Sequence, residues 1–201
     1  MFRVAFCVSG GGTNLQAVID AVEAGQLQGV EIALVVSTSP KAYALQRAKK
    51  HGIDFVVLAK KNFINSAARE VALLETLRKK NIDLVVFAGC MMVLSAEFIE
   101  MWDKPIINIH PSLLPKYGGH GFYGLTPHEA VLAAGEKITG ATVHYIDGGI
   151  DTGGIILQKK VAVMEGDTPE VLQKRVMEEA EWQILPQAIA MFAAGTPVKT
   201  G

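Results

Sequence analysis

The chain has 201 residues, half of them hydrophobic, with 19 basic and 20 acidic side chains and a formal net charge of −1. That length suits one globular domain with a sizeable core, and the balanced charge argues against a nucleic-acid partner, which leaves a basic face. Two cysteines, Cys7 and Cys90, are too few for a disulfide framework and point to a reducing, cytoplasmic setting.

The chain opens on MFRVAFCVSGGG, an apolar run too short to span a bilayer and without a cleavage site, so it reads as a first strand and not as a membrane or export signal. Short β-branched runs at Arg3–Val8, Val30–Val36, Asp54–Val57, Leu84–Ala88 and Ile106–Ile109 predict strands. Helical patterns lie between them at Leu15–Ala24, Ala42–His51, Ser66–Lys80 and Ser95–Met101. Strands apolar on both faces, alternating with helices, predict an α/β fold: a Rossmann-like, mostly parallel sheet with helices on both faces. Further on, Gly140–Ile146 and Gly154–Val163 flank a turn rich in Gly and Asp, and an amphipathic helix is expected over Pro169–Ala193. No linker, repeat or low-complexity segment interrupts the chain, so a single domain over 1–201 is expected, with a nucleotide-binding-like half at about 1–105.

Val8-Ser9-Gly10-Gly11-Gly12-Thr13-Asn14-Leu15 joins the first strand to the first helix. Three glycines let backbone approach a ligand, and Thr13 and Asn14 stand where free N–H groups and the helix dipole favour an anion. The spacing is neither the dinucleotide fingerprint nor a Walker A loop. A plain tight turn with Thr13 as N-cap is the alternative, but three glycines exceed what a cap needs, which favours a phosphomonoester.

Open parallel sheets bind ligands beyond the carboxyl ends of their strands. There the sequence puts the glycine loop, Gly89-Cys90-Met91-Met92, and the pair Asn108 and His110, which face one side of an extended segment. An aspartate of the turn Asp147-Gly148-Gly149-Ile150-Asp151, either Asp147 or Asp151, is expected near His110, where it would favour the imidazolium. Asn, His and Asp supply no nucleophile; they offer oxyanion stabilisation and proton transfer, as direct acyl transfer requires. Cys90 is expected to pack and His144 to point off a sheet face. The histidines and cysteines lack zinc-ligand spacing, so no metal is expected.

The stretches VSGGGTNLQA, FAGCMMVLS, NIHPSLLPKY and GATVHYIDGGIDTGGIILQ resemble the phosphoribosylglycinamide formyltransferases, folate-dependent enzymes of purine synthesis, and the likeness covers nearly the whole chain. The resemblance implies a formyltransferase-type fold and formyl transfer from 10-formyltetrahydrofolate, as cosubstrate, to the amine of 5-phosphoribosylglycinamide. It implies that Asn108, protonated His110 and Asp151 are catalytic, Asp151 being chosen over Asp147 for its place seven residues after His144. It implies that Gly12, Thr13 and Asn14 hold the substrate phosphate and Glu181 its ribose. Met91, Met92, Val93, Leu94, Asn108 and Ile146 would line the folate site, within a folate and catalytic half at about 106–201. It also implies a cis bond at Leu114-Pro115, no metal, small-molecule partners without nucleic acid or membrane, and a monomer or homodimer.

Overall fold

A computed structural model describes residues 1–196; the last five positions of the expected 1–201 span lie outside the described residues. Seven strands, β1 (Phe2–Val8), β2 (Val30–Ser37), β3 (Phe55–Val57), β4 (Leu84–Ala88), β5 (Ile106–His110), β6 (Ile138–Tyr145) and β7 (Ile155–Ala162), make one mixed, mostly parallel sheet in the order β3-β2-β1-β4-β5-β6-β7. The helices are α1 (Thr13–Glu23), α2 (Ala44–Lys50), α3 (Ser66–Lys79), α4 (Ala96–Met101), α5 (Thr126–Ala133), α6 (Pro169–Val176) and α7 (Trp182–Ala193). The chain divides into two compact units, Met1–Ile107 and Asn108–Gly201.

In the first unit β1 is the central strand, paired in parallel with β2 on one side and β4 on the other. Its residues Val4 to Val8 are fully enclosed; a strand flanked on both edges and covered on both faces must be apolar throughout, which is why this run does not alternate. Leu15, Val18 and Ile19 of α1 recur at helical spacing and are buried, fixing the face that helix turns inward. Each such side chain contributes about 1.5–3 kcal/mol on burial. Side-chain caps start α3 and α4: Asn65 accepts from Ala68 N at 2.8 Å and Ser95 from Phe98 N at 3.1 Å. Because β1's neighbours are β2 and β4, the connections leave β1 and β4 in opposite directions, which makes the gap beyond their carboxyl ends a topological switch point.

In the second unit β6 and β7 form an antiparallel hairpin, Thr142 opposite Gln158. The register slips between Val143 and His144, where β7 carries an extra residue; such a bulge re-aims the side chains beside it. Leu172, Val176, Ala180, Leu185 and Ile189 are completely buried along the C-terminal helical run, and Tyr145 meets Phe192 edge-on at 5.9 Å.

Two local expectations needed correction. Helix α5 was not foreseen, because the glycine-rich stretch before it breaks the pattern and its eight residues are too few to declare a period. The single helix expected over Pro169–Ala193 is α6 and α7 joined by a π-helical turn, Met177–Glu181; helical periodicity does not resolve one extra residue in a turn. Among the described residues no helix is long and apolar enough to cross a membrane.

Candidate active site

Within the first unit the loops after β1 and β4 are laced together. Ser9 N donates to Gly89 O at 3.0 Å, and Met91 N donates to Ser9 Oγ at 2.7 Å. The glycine loop is also clamped by α2: Ala44 N donates to Gly10 O at 3.1 Å and Arg47 Nε to Gly11 O at 2.9 Å. Gly12, not Thr13, is the N-cap residue of α1; it has φ 70° and makes no side-chain cap bond. A Cβ on Gly12 would lie 2.6 Å from Ala44 Cβ, whereas Gly10 and Gly11 face open space. Gly12→Ala is therefore expected to cost about 1–3 kcal/mol in a denaturant titration, while Gly10→Ala leaves stability nearly unchanged.

Thr13 and Asn14 open α1, half-buried and buried respectively. In the other loop Met92 and Leu94 turn inward, while Met91 and Val93 are 60% and 65% exposed. Burial pushes the Cys90 thiol up to about 11, so it stays protonated and is no thiolate nucleophile.

Within the second unit Asn108, His110 and Asp151 come together. Asn108 and His110 stand two apart on β5, and His110 is 4% exposed. His110 Nε2 lies 2.9 Å from the Tyr117 carbonyl, and Nδ1 lies 3.4 Å from Asp151 Oδ2. A carbonyl only accepts, so Nε2 carries the proton and, in the neutral ring, Nδ1 is the basic nitrogen. Tyr117 is held by its hydroxyl, which donates to Glu136 Oε1 at 3.0 Å, and by Ser112 Oγ, which donates to the Lys116 carbonyl at 2.7 Å. Thr142 Oγ1 donates to Ser112 O at 2.6 Å and accepts from Leu114 N and Gln158 Nε2. This buried network fixes the loop that follows His110, and the Leu114-Pro115 bond within it is cis.

Asp151 sits at φ 57°, in the left-handed region that few non-glycine residues adopt. Gly153 permits that turn, since a Cβ there would lie 1.9 Å from the Tyr145 carbonyl oxygen. Asp151 Oδ2 accepts from Gly119 N at 2.9 Å. Asp147 instead serves its own turn, accepting from Gly149 N and Thr152 Oγ1. Of the two aspartates left open by composition, Asp151 is thus the one at His110.

The Asp151 charge acts on His110 in the expected direction, but it is not the largest effect there. Burial lowers the His110 pKa below its ordinary value and outweighs the Tyr117 carbonyl and the Asp151 charge, which raise it. Burial thus works against the imidazolium that the neighbouring aspartate favours. Burial alone would raise Asp151, but the neighbouring His144 and the Gly119 amide hold its carboxyl below the usual range.

Sequence reasoning also missed His144. Only 2% exposed, it lies 3.1 Å from Asn108 Nδ2 and 3.5 Å from Asp151 Oδ1 through Nε2. The signal available was its position on a strand two residues from Thr142, which marks a shared face. Glu181 is buried at the end of the π-helical turn, and Ile146 is half-buried just past β6. Among the described residues no three His, Cys, Asp or Glu side chains gather as for a metal ion.

The family model described as formyl transferase matches residues 2–189. The chain belongs to the formyl transferase family. Among its relatives in that family, the phosphoribosylglycinamide formyltransferase of Haemophilus influenzae is 39% identical over 97% of this chain and 89% of its own length. The trifunctional purine biosynthetic protein adenosine-3 of Drosophila melanogaster is 41% identical over 96% of this chain, which spans 14% of that longer protein. The crystal structure of glycinamide ribonucleotide transformylase 1 from Symbiobacterium toebii superposes with a TM-score of 0.89 at 39% identity, over 97% of this chain and 89% of that one.

Proposed function

We propose that this chain, acting as one formyltransferase domain, transfers the formyl group of 10-formyltetrahydrofolate to the amine of 5-phosphoribosylglycinamide in purine biosynthesis. The observation that carries the chemistry is the cluster of half-buried Asn108, buried His110 and half-buried Asp151, which offers a hydrogen-bond donor, a base and a carboxylate but no nucleophile. The likeness to the phosphoribosylglycinamide formyltransferase of Haemophilus influenzae, over 89% of that protein's length, supports the choice of substrates. The amine lone pair attacks the formyl carbon, and the carbonyl π pair moves onto oxygen. An Asn108 N–H stabilises that oxyanion. His110 takes the proton released by the amine, and Asp151 stabilises the imidazolium so formed. The bond from carbon to N10 then breaks, and N10 receives the proton.

In this reading Gly12, Thr13 and Asn14 hold the phosphate, a role that a glycine loop at a helix N-terminus suits. Glu181 takes the ribose hydroxyls, and Met91, Met92, Val93, Leu94 and Ile146 line the folate site. Two free thiols fit a cytoplasmic enzyme. The test is the absorbance change of a 10-formyl dideazafolate mixed with the protein, with and without the ribonucleotide. Deformylation that requires the ribonucleotide supports the transferase. Turnover without it would make the protein a hydrolase, and ribonucleotide binding without any turnover would leave a phosphate-sensing module.

A further inference from the structure

His144 takes no part in the steps above, yet it occupies the cluster and leaves no hydrogen-bonding capacity there to chance. Its Nδ1 lies 2.8 Å from the Tyr145 carbonyl oxygen. A carbonyl has no proton to give, so Nδ1 carries one, which leaves the Nε2 lone pair for its hydrogen-bond partner, Asn108, nearer at 3.1 Å than Asp151 Oδ1 at 3.5 Å. Asn108 Nδ2, 3.1 Å away, must then be the donor to that lone pair. Turning the carboxamide over would set Oδ1 against the Nε2 lone pair, two acceptors face to face in a site only 2% exposed at His144.

We propose that His144 is a positioning residue: it fixes the orientation of the Asn108 carboxamide, so that the second N–H of Nδ2, and not the carbonyl oxygen, faces the developing oxyanion. The proposal rests on the formyl-transfer reading for its kinetic consequence and on geometry alone for the amide orientation. At metal sites the loss of a residue that orients a ligand costs about 10- to 100-fold in affinity or activity, and the same scale is expected here.

Two polar substitutions separate the two ring nitrogens. His144→Gln keeps an oxygen near the Nε2 position, and His144→Asn keeps a donor near Nδ1 for the Tyr145 carbonyl but gives up the contact with Asn108. The expected result is kcat reduced about 10- to 100-fold in His144→Asn, with both KM values within about threefold, and largely recovered in His144→Gln. In an Asn108→Ala background, His144→Asn is expected to add no further loss, because it acts through Asn108. Equal losses in the Asn and Gln variants, or losses that multiply in the double variant, would overturn the proposal. The side-chain amide proton pair of Asn108, identified by its absence in Asn108→Asp, gives a readout independent of turnover. It is expected to shift in His144→Asn and to stay near its wild-type position in His144→Gln; an unmoved pair in His144→Asn would overturn the orientation claim. A wild-type protein that transfers no formyl group would sink the activity reading, and the amide resonances would still decide the orientation.

Discussion

Asp151→Asn is expected to slow the formyl-transfer step by about 10²- to 10⁴-fold, the range of a lost acid–base partner, while affinities for both substrates change by less than about threefold. Asparagine tolerates the left-handed backbone that Asp151 occupies at φ 57°, so the turn survives the change. Its oxygen can still accept from Gly119 N, which Asp151 Oδ2 does at 2.9 Å. What disappears is the charge. Asp151 lies 3.4 Å from His110 Nδ1 and raises the affinity of that nitrogen for a proton, against the burial that lowers it. Without the carboxylate the His110 pKa falls further, and the imidazolium formed during proton transfer has no counter-charge. An amide N–H in its place would also bond the Nδ1 lone pair that has to accept the proton. Single-turnover rates and separately measured dissociation constants check this: equal losses in both would assign Asp151 to binding instead.

The second large effect concerns stability in acid and a histidine outside the chemistry. His128 on α5 is completely buried, and among the described residues neither of its ring nitrogens has a hydrogen-bond partner. Burial, with a smaller contribution from the charge of protonated His110, pushes its pKa down to about 4. A base whose folded pKa lies below its unfolded value of about 6.5 binds more protons when unfolded. Its stabilising contribution is therefore complete above about pH 6.5 and is lost as pH falls toward 4. The drop is about 3 kcal/mol, since each tenfold loss of proton affinity on folding is worth about 1.4 kcal/mol. His110, lowered in the same direction, adds to the acid loss. In His128→Leu the acid limb of stability is expected to be shallower than in wild type by about one proton. Stability at pH 7 is expected to be equal or higher, since no hydrogen bond is given up. Urea titrations of both proteins between pH 4 and 7 decide it; identical pH dependence would mean that His128 does not titrate with unfolding.

Much of the site was legible because its signals are local. Three glycines between a buried strand and a helix mark a loop whose backbone is open to a ligand, and Asn108 and His110, two apart in a strand, share a face whatever surrounds them. Asp151 was one of two equal candidates by composition, and the family likeness chose it. The structure puts Asp151 beside His110 and turns Asp147 to its own loop. His144 was expected only to point off a sheet face, because nothing in its neighbours announces contact with a residue on β5. The balance at His110 was not legible for a related reason: an adjacent carboxylate favours the imidazolium, and only the degree of burial reveals that desolvation is the larger effect.

The sequence by itself thus determined the strands and helices of the sheet, the glycine loop, and the pairing of Asn108 with His110. Periodicity and i, i+2 geometry depend only on neighbours along the chain. Tertiary structure alone decided the short helix α5, the π-helical turn that carries Glu181, the enclosure of His128 and the orientation of Asn108 by His144. Each of these depends on which groups distant in sequence share a space closed to water, and that closure sets both where a proton sits and what its removal costs.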